Sequence, residues 1–268
     1  MWRFVALFIA LVAGVAAAVW YYRSAAGGAL APVSVVARNE DRWLDGLQSR
    51  SPKEAEAATA ELEQRGTAAV PVIRTTLQDP SADPARRKAA LKAAAILGVR
   101  AVETLPEVAA ALQEPQFAPE AGLALSFMGS AAVATLRESL HAEEPVVRRE
   151  ALRALGKLRE RASIDPQIVI PVLLESLKDP DTSVRHVAVT YLGIVRDRPP
   201  EEVLGLIAAL QDSEAEVREA AALALSSYGL DAEPAIPALT KASKDPDEDV
   251  QREAARALVH IAELKGKA

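Results

Sequence analysis

Three histidines, no cysteine and an evenly spaced series of arginines are the residues this chain offers for chemistry. Without cysteine there is no thiolate nucleophile, disulfide, iron–sulfur cluster or Cys-based zinc site. His141, His186 and His260 stand apart in sequence. None has a second ligand four residues on or an adjacent Glu, so the spacing of a helical zinc site is missing. No phosphate-cradling glycine loop and no nucleophile elbow occurs. These residues predict no catalytic centre, no metal and no cofactor, and no small-molecule substrate is expected. An acid/base enzyme built on carboxylates is the competing reading; it requires a buried, pKa-shifted Asp or Glu in a groove.

The arginines carry the strongest pattern. Arg86, Arg148, Arg185 and Arg218 each follow an apolar or small residue and precede a small-residue run. Such a series predicts a ladder in which each guanidinium grips a loop carboxylate of a neighbouring unit, such as Asp179, Asp181, Asp212 or Glu214. A stripe that binds an external anion is the alternative. Repetition favours the ladder, because a binding site needs to occur only once.

The elements that must position these arginines are repeated helix pairs. The run Val147-Arg148-Arg149-Glu150-Ala151-Leu152-Arg153-Ala154-Leu155-Gly156 returns from Val184 to Gly193, and again from Val217 and from Val250. Weaker copies start at Lys53, Ala85 and Phe117, so reference positions fall at 53, 85, 117, 147, 184, 217 and 250. The period is near that of helical repeats. Six of these runs follow an apolar segment such as IPVLLESLKDP, whose leucines recur at three- and four-residue steps. Pro71, Pro106, Pro171 and Pro237 sit where a helix would start, and Asp-Pro turns end it. Asp181, Glu214 and Asp247, three residues before a reference Val, suit helix N-caps. Gly66, Gly98, Gly129, Gly156, Gly193 and Gly229 suit left-handed helix ends or close-packing points. The longer linkers 159–167 and 196–202 are expected as edge loops.

The stretch from Ile170 to Gly193 resembles a HEAT repeat of the short type found in phycobilisome-lyase-like proteins. The resemblance extends over residues 40–268, strongest in repeats 4 to 7; Trp43, Leu44 and Leu47 fit a divergent first cap. It implies an all-α, right-handed α-α superhelix of about seven helix pairs, with a binding surface along the second helices and no single activity. The di-iron His-Glu pairs of some HEAT-like hydroxylases are missing, and the enzyme that the resemblance would imply in their place is a lyase-like or base-excision-like HEAT protein with acid/base carboxylates. On outward second-helix positions, two and six residues after the reference, stand Arg87, Arg149, Arg153, His186, Thr190, Glu219, Arg252 and Arg256. They are the candidate contacts for a protein or peptide partner, with a solvated face as the alternative. Phe127, Tyr191 and Tyr228 are expected as core filler or interface anchors.

Residues 4–22 (FVALFIALVAGVAAAVWYY) contain no charge and are bracketed by Arg3 and Arg23. At about 1.5 Å per residue they span a hydrocarbon core, with aromatic residues at both ends. They predict a transmembrane anchor over residues 1–23; a cleaved signal segment, with Ala16 to Ala18 near the cleavage point, is the other reading. Residues 24–39 fit a flexible tether. The short N-terminal tail places the solenoid on the periplasmic or extracytoplasmic side of a bacterial inner membrane, with a cytoplasmic-facing scaffold as the alternative. Arg3 and Arg23 are the only charged residues up to position 23, so the remainder carries 29 basic against 37 acidic side chains. That acidic balance speaks against nucleic acid as the partner.

Overall fold

In the computed structural model the described residues are 41–161, 164–194 and 200–267, and among them there are helices and turns but no strand. The predicted anchor and the whole of the predicted tether lie outside the described residues. Among the described residues no helix is long and apolar enough to cross a membrane. A compact unit runs from Trp43 onward.

Its helices form pairs. The first pair is α1 (Arg42–Gly46) with α2 (Pro52–Arg65), the second α3 (Val70–Gln78) with α4 (Pro84–Leu97), and the third α5 (Leu105–Leu112) with α6 (Ala118–Leu125). Next come α7 (Val133–Ser139) with α8 (Pro145–Glu160), and α9 (Pro166–Ser176) with α10 (Thr182–Ile194). The last two are α11 (Pro200–Ala209) with α12 (Ala215–Tyr228), and α13 (Ile236–Ala242) with α14 (Glu248–Lys265). Each pair leans on the next, and consecutive second helices from α4 to α14 touch one another directly. First helices meet each other much less. The stack is therefore more tightly spaced on its second-helix side, which makes that side the inner, concave one.

Alanine is what permits the tight spacing. On α12, Ala221, Ala222 and Ala224 are buried against neighbouring helices, and Ala254 and Ala257 do the same on α14. Small side chains let helix axes approach, and alanine pays no rotamer entropy in doing so. Two glycines go further. A Cβ on Gly156 would lie 2.3 Å from the Tyr191 ring, and one on Gly193 would lie 2.8 Å from the Ala224 Cβ. Both sit inside helices, so they are close-packing points. Gly66 and Gly98 end α2 and α4 at φ of 52° and 56°, a backbone region that L side chains rarely adopt. The chain then enters a 3₁₀ turn that leads into the next first helix, as it also does after Gly129 and Gly229.

These caps correct two reference positions. Gly129 and Gly229 lie twelve residues after references 117 and 217; applied to Gly66 and Gly98, the same offset gives 54 and 86, each one later than the weak motifs indicate. Pro71, Pro106 and Pro237 occupy the first turn of their helices, but Pro171 falls inside α9. There the longer linker supplies an extra turn: the Gln167 amide donates to the Asp165 carboxylate at 2.8 Å and Pro166 opens the helix. Asp181 and Asp247 cap α10 and α14 by accepting from backbone amides. Glu214 makes no such bond at α12, where the carboxylate of Asp212 takes the Glu214 amide at 3.0 Å instead. Trp43, Leu44 and Leu47 are buried as the predicted cap.

Candidate interaction surface

The ladder arginines stand at the start of second helices, on the edge where each pair turns. Arg148 donates Nε and Nη2 to Asp179 at 2.8 Å each, while its Nη1 donates to the carbonyls of Ala142 and Glu143. Arg185 grips Asp212 at 2.7 and 2.8 Å, with Nη1 on the carbonyls of Asp179 and Pro180, and Arg218 grips Asp245 at 2.9 and 2.8 Å, with Nη1 on those of Asp212 and Ser213. Each guanidinium thus ties its own turn to the turn of the next repeat. All but about a tenth of each side chain is covered. Arg218 and the Asp247 amide hold the Asp245 carboxyl below the usual carboxylate range. Burial alone would push Asp212 up, but Arg185 and the Glu214 amide outweigh it and hold that carboxyl low as well.

The structure corrects the second rung. Arg87, expected as an outward contact, donates to Glu114 at 3.0 and 2.6 Å and lies over the Phe117 ring at 4.3 Å. It makes the bond to the next repeat. Arg86, expected in the ladder, points back to Asp45 of the first pair at 2.8 Å. The cause is the one-residue shift of the reference in α4. Between repeats 3 and 4 the equivalent positions are Ala118 and Ala142, so both halves of that rung are absent together. In the final repeat the position is Gln251, which bonds the Asp245 carbonyl at 2.6 Å.

The other predicted contacts share the concave face. Arg149 and Arg153 both bind Glu150, at 2.9 and 3.1 Å. Arg252 and Arg256 both bind Glu253, at 3.3 and 3.1 Å, and Arg252 also pairs with Asp249. Glu150 and Glu253 are buried helix residues, each neutralised by two guanidinia. Sequence reasoning missed them, although the repeated string Arg-Glu-Ala-x-Arg, at 149–153 and again at 252–256, carried the signal. His186, Thr190 and Glu219 are brought together, lining a groove of about 460 Å³ between α10 and α12 with Ile194, Leu223 and Ser227. Leu223 is 58% exposed there. Of the aromatic residues, Tyr191 and Tyr228 are buried, whereas Phe127 stays 39% exposed beneath Arg161 at 4.1 Å.

A third buried carboxyl, Glu202, was also missed. Its Oε2 lies 2.6 Å from the Tyr228 hydroxyl, which is 2.7 Å from the Leu192 carbonyl. This network joins α10, α11 and α12 through the core. Among the described residues no cluster of three His, Asp or Glu side chains could hold a metal ion.

Family models match part of the chain: "HEAT repeats" over residues 170–263 and "PBS lyase HEAT-like repeat" over 147–179. Residues 147–263 thus carry HEAT-type repeats. Among solved structures, Kap95p in its complex with RanGDP is 15% identical, with a TM-score of 0.65 over 84% of this chain and 34% of that one. Kap121p is 15% identical, with a TM-score of 0.61 over 84% of this chain and 29% of that one. The chain spans about a third of the length of those two proteins, and the likeness is one of fold: an all-helical repeat solenoid. The CpcE–CpcF complex of phycocyanin lyase from Nostoc sp. PCC7120 is 24% identical, with a TM-score of 0.48 over 58% of this chain and 98% of that one. No curated protein matches the sequence.

Proposed function

We propose that this chain is a non-catalytic interaction protein, a HEAT-type solenoid displayed at a membrane that binds a protein or peptide along its second-helix face. The observation that carries this reading is the exposed apolar side chains on that concave face. Leu123 and Leu223 share one position of the repeat, six residues after the reference, and Phe127 and Ile194 share another, one turn further on, each with about two-fifths or more of its surface in solvent. Apolar side chains aligned along one face and rimmed by charge mark an interaction site. The polar groups that could serve catalysis are engaged in holding the stack: the ladder carboxylates by arginine, and Glu150 and Glu253 by two arginines each. In the Kap95p complex a solenoid of this fold binds the protein RanGDP, which supports a protein as the partner class.

Comparative capture tests the reading. The full chain, cross-linked in its native membranes, should recover partner protein, and I194D/L223D should lose that recovery. L204D, which alters an exposed first-helix leucine, should retain it. Equal recovery by all three, or loss only with L204D, overturns the proposal. The membrane part of the reading rests on residues 4–22 and has its own test. An uncleaved anchor keeps the full-length chain in the membrane after an alkaline wash, with the solenoid digested by protease only once the inner membrane is opened from outside. Release of a shortened chain overturns the anchor, and digestion from the cytoplasmic side overturns the orientation.

A further inference from the structure

The second helices α4, α6 and α8 lie side by side, so equivalent positions form rows across the concave face. The first row is Lys88, Pro119 and Arg149. One turn on, the second is Lys92, Leu123 and Arg153. The third is Ile96, Phe127 and Lys157. The middle helix is thus apolar and the outer two carry cations. Leu123 is 40% exposed, and Arg161 from the end of α8 lies over the Phe127 ring at 4.1 Å.

The charge balance of this patch runs against that of the molecule. Lys88 pairs with Glu120 at 2.9 Å, and Arg149 and Arg153 share the single charge of Glu150. Lys92 is held by a neutral partner, the Leu47 carbonyl at 2.9 Å. Lys157 has no side-chain partner among the described residues, and Arg161 bonds the neutral Ser126 carbonyl at 3.2 Å. Even with Glu160 at the end of α8 counted, the patch keeps a positive surplus, on a body with 37 acidic and 29 basic side chains. The positive groups are also fixed before any partner arrives: Glu150 orients two, a carbonyl and a ring orient two more. Preorganised cations lose little entropy when they bind.

We propose that the concave face of repeats 2 to 4 binds an acidic peptide segment with an apolar anchor, the anchor seated on Leu123 and Phe127 and its flanking carboxylates on Lys92 and on Arg153 with Lys157. This rests on the interaction reading above and names its partner's chemistry. Helix axes about 8–10 Å apart put the two cationic helices about 16–20 Å from each other. An extended chain covers that distance in about five or six residues. The segment therefore carries an acidic residue on each side of the anchor, two or three positions away, and runs across the helices. A flat anionic membrane cannot reach a concave face, and a nucleic acid would meet an apolar centre where it needs continuous positive charge.

The test uses the full chain in neutral phosphatidylcholine nanodiscs and a fluorescein-labelled probe peptide, with Glu and Asp flanking a central Leu-Phe. Comparison probes are the same peptide with Gln and Asn, an oligothymidylate, and vesicles of phosphatidylcholine with phosphatidylglycerol. The acidic peptide should bind at least about tenfold more tightly than its neutral form and lose affinity as salt rises. K92E/K157E should weaken it by about tenfold or more, and F127A should weaken both peptides alike. L204D, on a first helix outside the binding face, should leave it unchanged. All three variants change exposed or half-exposed side chains, and unfolding curves confirm that each is folded before binding is compared. Equal binding of acidic and neutral peptides, or preference for oligothymidylate or the vesicles, overturns the inference. If peptide preference is absent while membrane capture still depends on Ile194 and Leu223, this inference alone falls; if capture fails as well, the interaction reading falls with it.

Discussion

At the scale of single residues, the ladder and its neighbours have different energetic weights. Removing Arg185 leaves Asp212 covered and without its guanidinium, so R185A should cost about 2–3 kcal/mol in chemical unfolding. R87A should cost more than R86A, whose bond to Asp45 is an exposed pair worth about 0–1 kcal/mol. The ladder also sets the acid limit of stability. Asp212 and Asp245 have carboxyls held below their ordinary range in the folded chain. Their contribution is full above the unfolded carboxylate value, about 3.9, and is lost as pH falls through the lower folded values. Urea midpoints should be flat between neutral and mildly acidic pH and drop below about pH 4. D245N should be less stable than the parent at neutral pH and should lose less on acidification. A parallel fall in both proteins would contradict the assignment.

At the scale of elements, close packing decides which glycines matter. G156A should destabilise by about 1–3 kcal/mol, because the new methyl meets the body of the Tyr191 ring. Y191L in the same chain should recover part of that loss, and a double-mutant cycle in urea measures the coupling. The sequence made the helix pairs legible wherever small residues, an arginine and a turn carboxylate recur together, as in repeats 4 to 7. It also made Trp43, Leu44 and Leu47 legible as a cap, since apolar residues at helical spacing had no other use. Register in α4 was less legible: Arg86 and Arg87 are adjacent and chemically alike, and only the position of Gly98 decides which one faces the next turn. Pro171 misled because a proline near a helix start and one inside a helix look the same until the preceding linker is placed. Glu150 and Glu253 were hidden because a glutamate on an arginine-rich helix reads as solvated; burial depends on the adjoining helix, through the Gly122 backbone beside Glu150. The concave groove was legible only as polar positions, because a single exposed leucine on an alanine-rich helix carries no periodic signal of its own.

At the scale of the whole molecule, the described helices gain stability from neighbours rather than from a single centre. Each second helix buries alanines against the next, and the arginine rungs tie consecutive turns on one edge. The rung missing between repeats 3 and 4 makes that junction the least tied on the ladder edge. Replacing Ala118 and Ala142 by Arg and Asp should raise the urea midpoint if the new pair closes, with A118R alone giving no gain. The same architecture leaves the second-helix face to the partner. Site-specific photo-crosslinking tests that most directly, with a photoreactive residue placed in turn at Thr190 and Leu123 on the second helices and at Leu204 on a first helix. The account predicts partner adducts from Thr190 and Leu123 and none from Leu204. Adducts from Leu204 alone, or from none of the three in membranes where the chain is otherwise captured with a partner, would contradict it.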